Sequence, residues 1–553
     1  SAAVLLAVVL WRLSNGPISL AFLAPYVEQA LSAEDASYRV NFEDFILTWA
    51  GWERTLDVRA LRVQSFSTDG TLLATIPEMA VELSIAAMLR GIVAPTKLEF
   101  FDTDLSLTIG ADGILSPDFH DSSADSLKLY FVDMIDRALE VRHTEHPLSY
   151  LRSVKVVESN ITFHQPDLEP IWEATAVNIQ VEHSNSGGKL KLDAEINLDG
   201  SLIDLAINAQ LDSTSGLINA DIKFGSLKPQ LLLGVAPITR YIQGIDIALN
   251  GRTSIVASTG LDIKKIDFEF NGGPGELSFR ELFPQTPSLI VSNLRAAGIL
   301  EPISQKLTLE EIFIDLDNTA IHANASVEGE WLKPKIEANI LVENLPVSRI
   351  GEAWPPTLAT NAREWVTSRI SHGTVERLEA HLNINPGDWE DSRFINREMI
   401  YGQFSIVGST VDYLPGLPAA EDLMATGWYD GVDLHFNISD GHLSNQTLRD
   451  VTVTLSDIDK LDTRGTIRIQ SVGPINDLVQ VLNSSPVQNY HVLFADSSLL
   501  KGTINTDLEV NFPLLKELEI EELQISGATV LSNVSIQNFK PSPLLPKIDI
   551  KDL

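Results

Sequence analysis

Alternation of apolar and polar residues is the dominant pattern of this chain. In residues 189–199, KLKLDAEINLD, every second side chain is apolar, and a period of two places those side chains on one face of a β-strand. The alternation returns along most of the chain, with turn signals such as Asp199-Gly200 and Asn250-Gly251 between the runs. We count roughly 25 to 30 predicted strands joined by short turns, a pattern typical of an antiparallel meander with one polar and one apolar face.

The apolar positions of the clearest runs are expected to line one shared surface. These candidate lining residues are Leu190, Leu192, Ile196, Leu198, Leu205, Ile207, Ile222, Phe224, Ile266, Phe268, Ile321, Val327, Ile336, Ile340, Leu382, Leu434 and Phe436. Helices are predicted at Pro17–Leu31, Leu127–Val141 and Ala362–Ile370. Because they are few and short, we interpret them as caps rather than as a second layer.

The predicted fold class is mainly β, an elongated and curled antiparallel sheet with a few capping α-helices. At about 4.8 Å per strand, one continuous sheet of this kind would extend on the order of 120–140 Å. The apolar face of such a sheet needs a partner, which is either the sheet itself, in a sandwich or barrel, or an apolar ligand in a trough. The pattern alone leaves these alternatives open.

Composition and charge narrow the functional classes. A chain of 553 residues with 44% hydrophobic and 21% charged residues is globular and too long for one ordinary core. A net charge of −35 argues against nucleic acid and against electrostatic binding to anionic headgroups. The absence of cysteine excludes disulfides, Cys-ligated metals and thiol nucleophiles, and it fits an oxidising compartment.

The amino terminus predicts a membrane anchor. Residues 1–11, SAAVLLAVVLW, are uncharged and almost wholly apolar, but a bilayer span needs about 20 such residues. We interpret them as the periplasmic half of an anchor helix that Gly16-Pro17 ends, so that the helix Pro17–Leu31 caps the membrane-proximal end of the sheet. A signal-peptide apolar region and a buried soluble helix are the alternatives.

Two segments resemble a known family. GPISLAFLAPYVEQAL (Gly16–Leu31) and the stretch Phe45–Phe100 resemble the amino-terminal module of AsmA-like proteins. The stretch Glu343–Ile384, which contains Trp354-Pro355, Arg363, Trp365-Val366 and Gly373, is similar to the central region of the YhdP-type branch, as is Gly408–Gly427 that follows it.

This resemblance implies a bridge-like lipid transfer protein of the bacterial envelope. It implies an anchor in the inner membrane, a periplasmic body with an apolar β-groove, and movement of phospholipid from the inner towards the outer membrane. The expected partners are phospholipid acyl chains, the inner membrane and a periplasmic or outer-membrane protein, with no nucleic acid. The chain is expected to be a fragment that lacks the C-terminal part.

The expected organisation follows the same resemblance. It comprises a partial anchor helix at 1–14, an AsmA-like module with its capping helix at 15–120, a helical connection at 121–150, groove repeats at 151–345, the YhdP-type central region with a short helix at 346–430, and further repeats at 431–553.

Candidate chemistry is sparse. His143 and His146 in HTEH precede Pro147 without a third ligand nearby, and the acidic run around Glu517 and Glu519 lacks the spacing of a calcium loop, so solvated loops or strand edges explain both. No GxxxxGK(S/T), GxSxG or HExxH motif occurs. We therefore expect no catalytic residues, no metal, no cofactor and no enzymatic activity.

Other functional classes stay open at this stage. The main alternative is an envelope scaffold or outer-membrane protein assembly factor that conducts no lipid. A hydrolase on a β-sandwich would need a polar cluster in a pocket. An outer-membrane barrel would need aromatic girdles, whereas aromatic residues make up 7% of this chain.

Overall fold

The fold was analysed in a computed structural model of the chain. It describes Arg12 and residues 16–32, 38–50, 55–67, 72–109, 115–117, 150–165, 168–184, 187–198, 200–232, 244–260, 262–278, 288–354, 360–390, 399–413, 416–458, 463–482, 497–514 and 522–536. The chain divides into two compact units, one of residues 1–243 with 248–271 and one of residues 244–247 with 272–553.

The described part of the chain is mainly β, as the alternation predicts. The strands of the first unit are β1 Ile18–Ser19, β2 Tyr38–Asn41, β3 Asp44–Ala50, β4 Thr55–Ser67, β5 Leu72–Leu83, β6 Pro95–Phe101, β7 Asp104–Ile109, β8 Leu115–Pro117, β9 Ser153–Gln165, β10 Leu168–Ser184, β11 Gly187–Leu198, β12 Ser201–Asp212, β13 Leu217–Leu227 and β15 Leu249–Ser258. Strand β16, Ile263–Gly272, reaches the boundary of the unit.

The first unit departs from the predicted all-antiparallel order at one place. Strands β6 and β7 lie end to end along one edge of β9 and both pair with it in parallel, for example Leu98 with Val154 and Leu105 with Ile161. The connection from β7 to β9 is long, and a long crossover is what parallel neighbours require. From β9 to β15 the ladder is antiparallel and follows chain order.

The amino-terminal helix is shorter than predicted. Helix α1 spans Ala24–Leu31, with a proline in its first turn, while Ile18–Ser19 forms β1 and pairs with β3. The prediction of a helix from Pro17 was therefore wrong for its first turns, because Ile18 lies opposite Leu47 in the sheet. The short helix α2, Ile85–Met88, follows β5.

Helix α1 covers the start of the apolar face. Its Val27 is fully buried and packs in one cluster with Phe45, Met79 and Leu98 from the sheet. The capping role predicted for the segment Pro17–Leu31 is in this respect what the structure shows for α1. The position of this end relative to a membrane stays a prediction.

The second unit contains a small sheet of β14 Ile245–Asp246, β17 Gly275–Leu277 and β18 Leu289–Val291, and a long meander. The strands of the meander are β19 Asn293–Glu301, β20 Lys306–Asp315, β21 Ala320–Glu328, β22 Lys335–Pro346, β24 Thr374–Ile384, β25 Ile400–Val411, β26 Ala420–Tyr429, β27 Leu434–Leu443, β28 Gln446–Ser456, β29 Arg464–Pro474, β30 Leu500–Pro513 and β31 Gln524–Ile536. Consecutive strands pair antiparallel throughout, and β23, Ile370–Ser371, pairs with the end of β25.

Among the described residues, α-helices interrupt the meander at two points, and a 3-10 helix, Pro386–Glu390, follows β24. Between β22 and β24 lie a short 3-10 turn and helices α3, Ile350–Ala353, and α4, Thr360–Arg369. Helix α4 confirms the predicted helix at Ala362–Ile370 within two residues. Between β29 and β30 lies α5, Ile475–Leu482, whose Ile475 packs against Leu500 and Ile504.

Several predicted features fall outside the described residues. These are the anchor at 1–14 apart from Arg12, and the helix at Leu127–Val141. Among the described helices, none combines the length and the apolar character that crossing a bilayer requires.

Candidate functional site

One row of directly opposed residues crosses every strand of the meander in the second unit. Its members are Leu294, Ile314, Ile321, Val342, Leu378, Phe404, Gly427, Phe436, Val453, Ile467, Val510 and Ile525. Residues opposed across a ladder share one face of the sheet. The row therefore defines an apolar face that continues from β19 to β31.

A second row on the same face combines large and small residues. It consists of Ala296, Ile312, Ala323, Ile340, Ala380, Gly402, Tyr429, Leu434, Leu455, Gly465 and Phe512. Alanine on both sides of Ile340 leaves shallow space beside its side chain. Aromatic rings fill the equivalent space further on, where Phe512 lies over Gly465 and Phe404 lies over Gly427.

The first unit carries an equivalent apolar row. It runs through Ile18, Leu47, Val58, Val81, Leu98, Val154, Val181, Leu190, Ala209, Ala220 and Ile255. The row keeps its apolar character through the parallel junction between β6 and β9, so the face does not depend on strand direction.

The candidate lining residues of the first unit share this face. Leu192, Ile207 and Ile222 are directly opposed on β11, β12 and β13, and Leu205 is opposed to Phe224. Leu190 and Ile196 alternate with Leu192 on β11, and all of them are half-buried; the side chain of Leu198 lies outside the described part.

Strand β16 adds aromatic rings to the face. The ring of Phe270 lies 5.8 Å from that of Phe224 and 5.1 Å from that of Phe268, centroid to centroid. Since side chains two residues apart share a face, the candidates Ile266 and Phe268 lie on the same face as Phe224. The third ring, Phe270, belongs to the same alternating run as Ile266 and Phe268, which predicts it on this face.

The candidate residues on β21, β22 and β24 also lie together. Val327 is opposed to Ile336, Ile321 to Val342, Ile340 to Ala380, and Leu382 to Ala338. Two rows here form what we call the open part of the face. The residues of the open part are Leu309, Ala325, Ala338, Leu382, Ile400, Leu300, Leu307, Val327, Ile336 and Ile384, and all of them are half-buried.

The face is closed over β27, β28 and the ends of the neighbouring strands. Leu434 and Leu455 are 6% and 2% exposed and cluster with Ile458 and Leu514. The candidate Phe436 packs against this cluster and meets the ring of Phe404 edge-on at 5.2 Å. Leu434 therefore lies on the predicted face but in its closed part, where protein side chains cover it, and Phe436 packs against that part while staying half-buried.

The cover over the closed part comes from the helical interruption. Trp354, which follows α3, and Trp365 of α4 both pack against the cluster of Leu434 and Leu455. Sequence reasoning noted both tryptophans only as part of the resemblance. The sequence did carry a signal for this cover, namely two tryptophans in a segment with few strands. Such large aromatic side chains need an apolar partner when they are not exposed.

The opposite face is polar and carries many ion pairs. Examples in the second unit are Lys306 with Glu328 at 2.6 Å and Arg377 with Glu343 at 3.2 Å. The hydrogen bond with Glu328 raises the pKa of Lys306, and the same contact lowers the pKa of Glu328. Exposed pairs of this kind contribute little stability, but they keep the two faces chemically distinct.

The described residues offer no metal centre. Within them, no group of three or more His, Asp or Glu side chains is placed to hold an ion. The HTEH motif with His143 and His146 and the acidic residues Glu517 and Glu519 lie outside the described part. The arrangement that the described residues do present is a surface for apolar chains.

Comparison with known proteins adds one finding. A family model described as "YhdP: YhdP protein" matches residues 257–548, which is more than half of the 553 residues. No curated protein matches the chain.

Proposed function

Because the chain belongs to the YhdP family, we propose that it carries phospholipid across the periplasm from the inner towards the outer membrane along an apolar β-groove. In this proposal the sheet curls so that its apolar face forms the interior of the groove. Residues 1–14 are part of a single-pass anchor in the bacterial inner membrane, and the body of the protein lies in the periplasm. Acyl chains are the ligand, and no reacting group or cofactor takes part.

The observation that carries this proposal is the half-buried state of the open part of the face. In an ordinary sandwich core, side chains such as Leu307, Val327 and Ile336 are covered by a second layer and are almost fully buried. Here each stays half-buried although its neighbours across the ladder are apolar too. A contiguous apolar surface of this kind is characteristic of a binding surface.

The dimensions fit an acyl chain. One leaflet of a bilayer contributes roughly 15 Å of hydrocarbon, half of the core thickness of about 30 Å. An acyl chain laid across the strands would cover about three of them at about 4.8 Å each. Each methylene group removed from water contributes about 0.8 kcal/mol, and successive strands present similar side chains, so a lipid is held without one position being strongly preferred.

Site-specific photocrosslinking tests this proposal. A photoreactive residue at Val327 or Ile207, on the apolar face, should crosslink to phospholipid in cells that express the full-length protein. The matched controls are Asn324 and Asn208, which are exposed and lie on the opposite face of the same strands. Equal crosslinking on both faces, or none on the apolar face, would refute lipid binding at this surface.

The second candidate function is an envelope scaffold or assembly factor. The observation in its favour is β31, which pairs with β30 and exposes Ile525 and Val530 to 59% and 63%. Exposed apolar side chains on a strand suit strand addition to another protein. An apolar face that yields protein crosslinks but no lipid crosslinks would support this candidate.

A further inference from the structure

The helical interruption of the meander crosses the apolar face of the second unit from one side to the other. We call the ends of the strands near Pro346, Thr374 and Val411 the upper rim, and the ends near Tyr429, Leu434 and Leu455 the lower rim. The interruption leaves β22 at Pro346 and returns as Ile370, which is opposed to Val411, so both of its ends lie at the upper rim.

Its two tryptophans, however, reach the lower rim. Trp354 and Trp365 pack against the cluster formed by Leu434 at the start of β27, Leu455 and Ile458 at and after the end of β28, and Leu514 directly after β30. We call the described residues 347–354 and 360–369 the strap. The strap joins the two rims over the closed part of the face.

Arginine side chains hold the strap in place. Arg363 donates from Nε to the carbonyl of Trp354 at 2.9 Å and from Nη2 to the carbonyl of Gly351 at 2.8 Å, which joins α4 to the end of α3. Arg349 donates to the carbonyl of Leu316 at 3.1 Å, which ties the base of the strap to the turn between β20 and β21. Val347 is buried against Val342 and Val375 at the upper rim.

We infer that the strap is a gate for the apolar face, and this inference rests on the proposed function. With Trp354 and Trp365 packed against the cluster of Leu434 and Leu455, protein side chains occupy the surface that an acyl chain would use. A lipid held on the open part therefore stops at the strap until the strap lifts. Arg363 is the positioning residue that sets how readily the strap lifts, because its two hydrogen bonds hold helix α4 to the end of α3. It does not contact the lipid.

Thiol labelling of matched variants tests the gate. The chain has no cysteine, so single Val→Cys changes report one position each. Val453 packs against the cluster of Leu434 and Leu455, beside Phe436, and Val327 lies in the open part; both side chains are half-buried in the parent protein. In this 553-residue chain we expect maleimide to label Val327→Cys severalfold faster than Val453→Cys, since only Val453 packs against the cluster that Trp354 and Trp365 also contact.

Loosening the strap should remove that difference. Adding Arg363→Ala should speed labelling of Val453→Cys severalfold, because two hydrogen bonds from a charged donor are lost, while labelling of Val327→Cys stays unchanged. Trp365→Ala should act in the same direction, and Arg363→Lys should give an intermediate rate. Val453→Cys that labels as fast as Val327→Cys from the start, or at a rate that none of the three changes alters, would overturn the gate.

A lipid-crosslinking experiment distinguishes failure of the gate from failure of the proposed function. With a photoreactive residue at Val327 or Val453, lipid crosslinks should form at Val327 in the parent protein and appear at Val453 after Arg363→Ala. Equal lipid crosslinks at both positions in the parent protein would contradict the gate alone. Absence of lipid at Val327 would refute lipid transport, while the labelling rates would still decide whether the strap lifts.

Discussion

A single buried charge distinguishes a lipid surface from a structural core, and Val327→Glu is the sharpest such change. Val327 is half-buried, opposed to Leu307 and Ile336, so the substitution gives up only part of the 1.5–3 kcal/mol or so that full burial of an apolar side chain contributes. A glutamate on an open surface can direct its carboxylate to water. We expect the free energy of unfolding to fall by about 1–2 kcal/mol, which corresponds to about 2–8 °C in Tm.

The comparison variant is Leu434→Glu. Leu434 is 6% exposed in the cluster against which Trp354 and Trp365 pack, so the change loses about 2–5 kcal/mol of packing and adds the cost of an unpaired buried charge. This variant should unfold the second unit outright. The exposed control Asn324→Glu should lower stability by less than about 0.5 kcal/mol.

The assay pairs thermal unfolding with lipid crosslinking in cells. Val327→Glu should keep the protein at its normal level and abolish lipid crosslinking at neighbouring positions on the apolar face, whereas Asn324→Glu should keep both. If Val327→Glu unfolds the protein as Leu434→Glu does, the open part is an ordinary core. If it folds and still carries lipid at the normal level, the apolar face is not the path.

Three further predictions concern stability. Gly465→Val should destabilise the protein by about 1–3 kcal/mol in urea unfolding, because a Cβ there lies 2.6 Å from Cε2 of Phe512, and the same change should cost less in a Phe512→Ala background. Burial raises the pKa of Tyr413 from 10.0 to about 12. The stability that the neutral phenol contributes is therefore present below pH 10 and is lost as the pH rises towards 12. Tyr413→Phe should remove this pH dependence from unfolding curves measured at alkaline pH. A hydrogen bond from Ser254 and the Arg252 guanidinium lower the pKa of Asp221 below 3.8. The stability that the carboxylate contributes is therefore present above that pH and lost below it. Asp221→Asn should cost under about 1 kcal/mol at pH 7 and nothing once the carboxylate is protonated.

The alternation of apolar and polar residues predicted most of the side chains that form the apolar face. It identified Leu192, Ile207 and Ile222 on separate strands without knowledge of the pairing, and the register brings them into one row. This works because a strand has only two faces, so the apolar set of each run is fixed once one face is buried. The mainly β fold and the helix at Ala362–Ile370 were predictable for the same local reasons.

The remaining features depend on contacts distant in sequence. Nothing local to Leu434 shows that Trp354, eighty residues earlier, packs against its cluster. The alternation around Leu434 is as regular as that around Val327. The parallel pairing of β6 with β9 is likewise set by a long connection rather than by either strand. Ile18 was predicted to be helical because Leu20 and Leu23 fit an amphipathic helical stripe. In the structure Ile18 lies in β1 and pairs with Leu47 of β3 instead.

The most direct test of lipid carriage is to ask what occupies the apolar face of the protein itself. Residues 15–553 would be purified without detergent, extracted with organic solvent and analysed by mass spectrometry, beside the Val327→Glu variant and an unrelated protein prepared in the same way. We predict phospholipid in the extract of the parent protein at a fixed molar ratio, and a clear loss of it in Val327→Glu. A folded parent protein that yields no more phospholipid than the unrelated protein would contradict the lipid-carrying role and favour the scaffold.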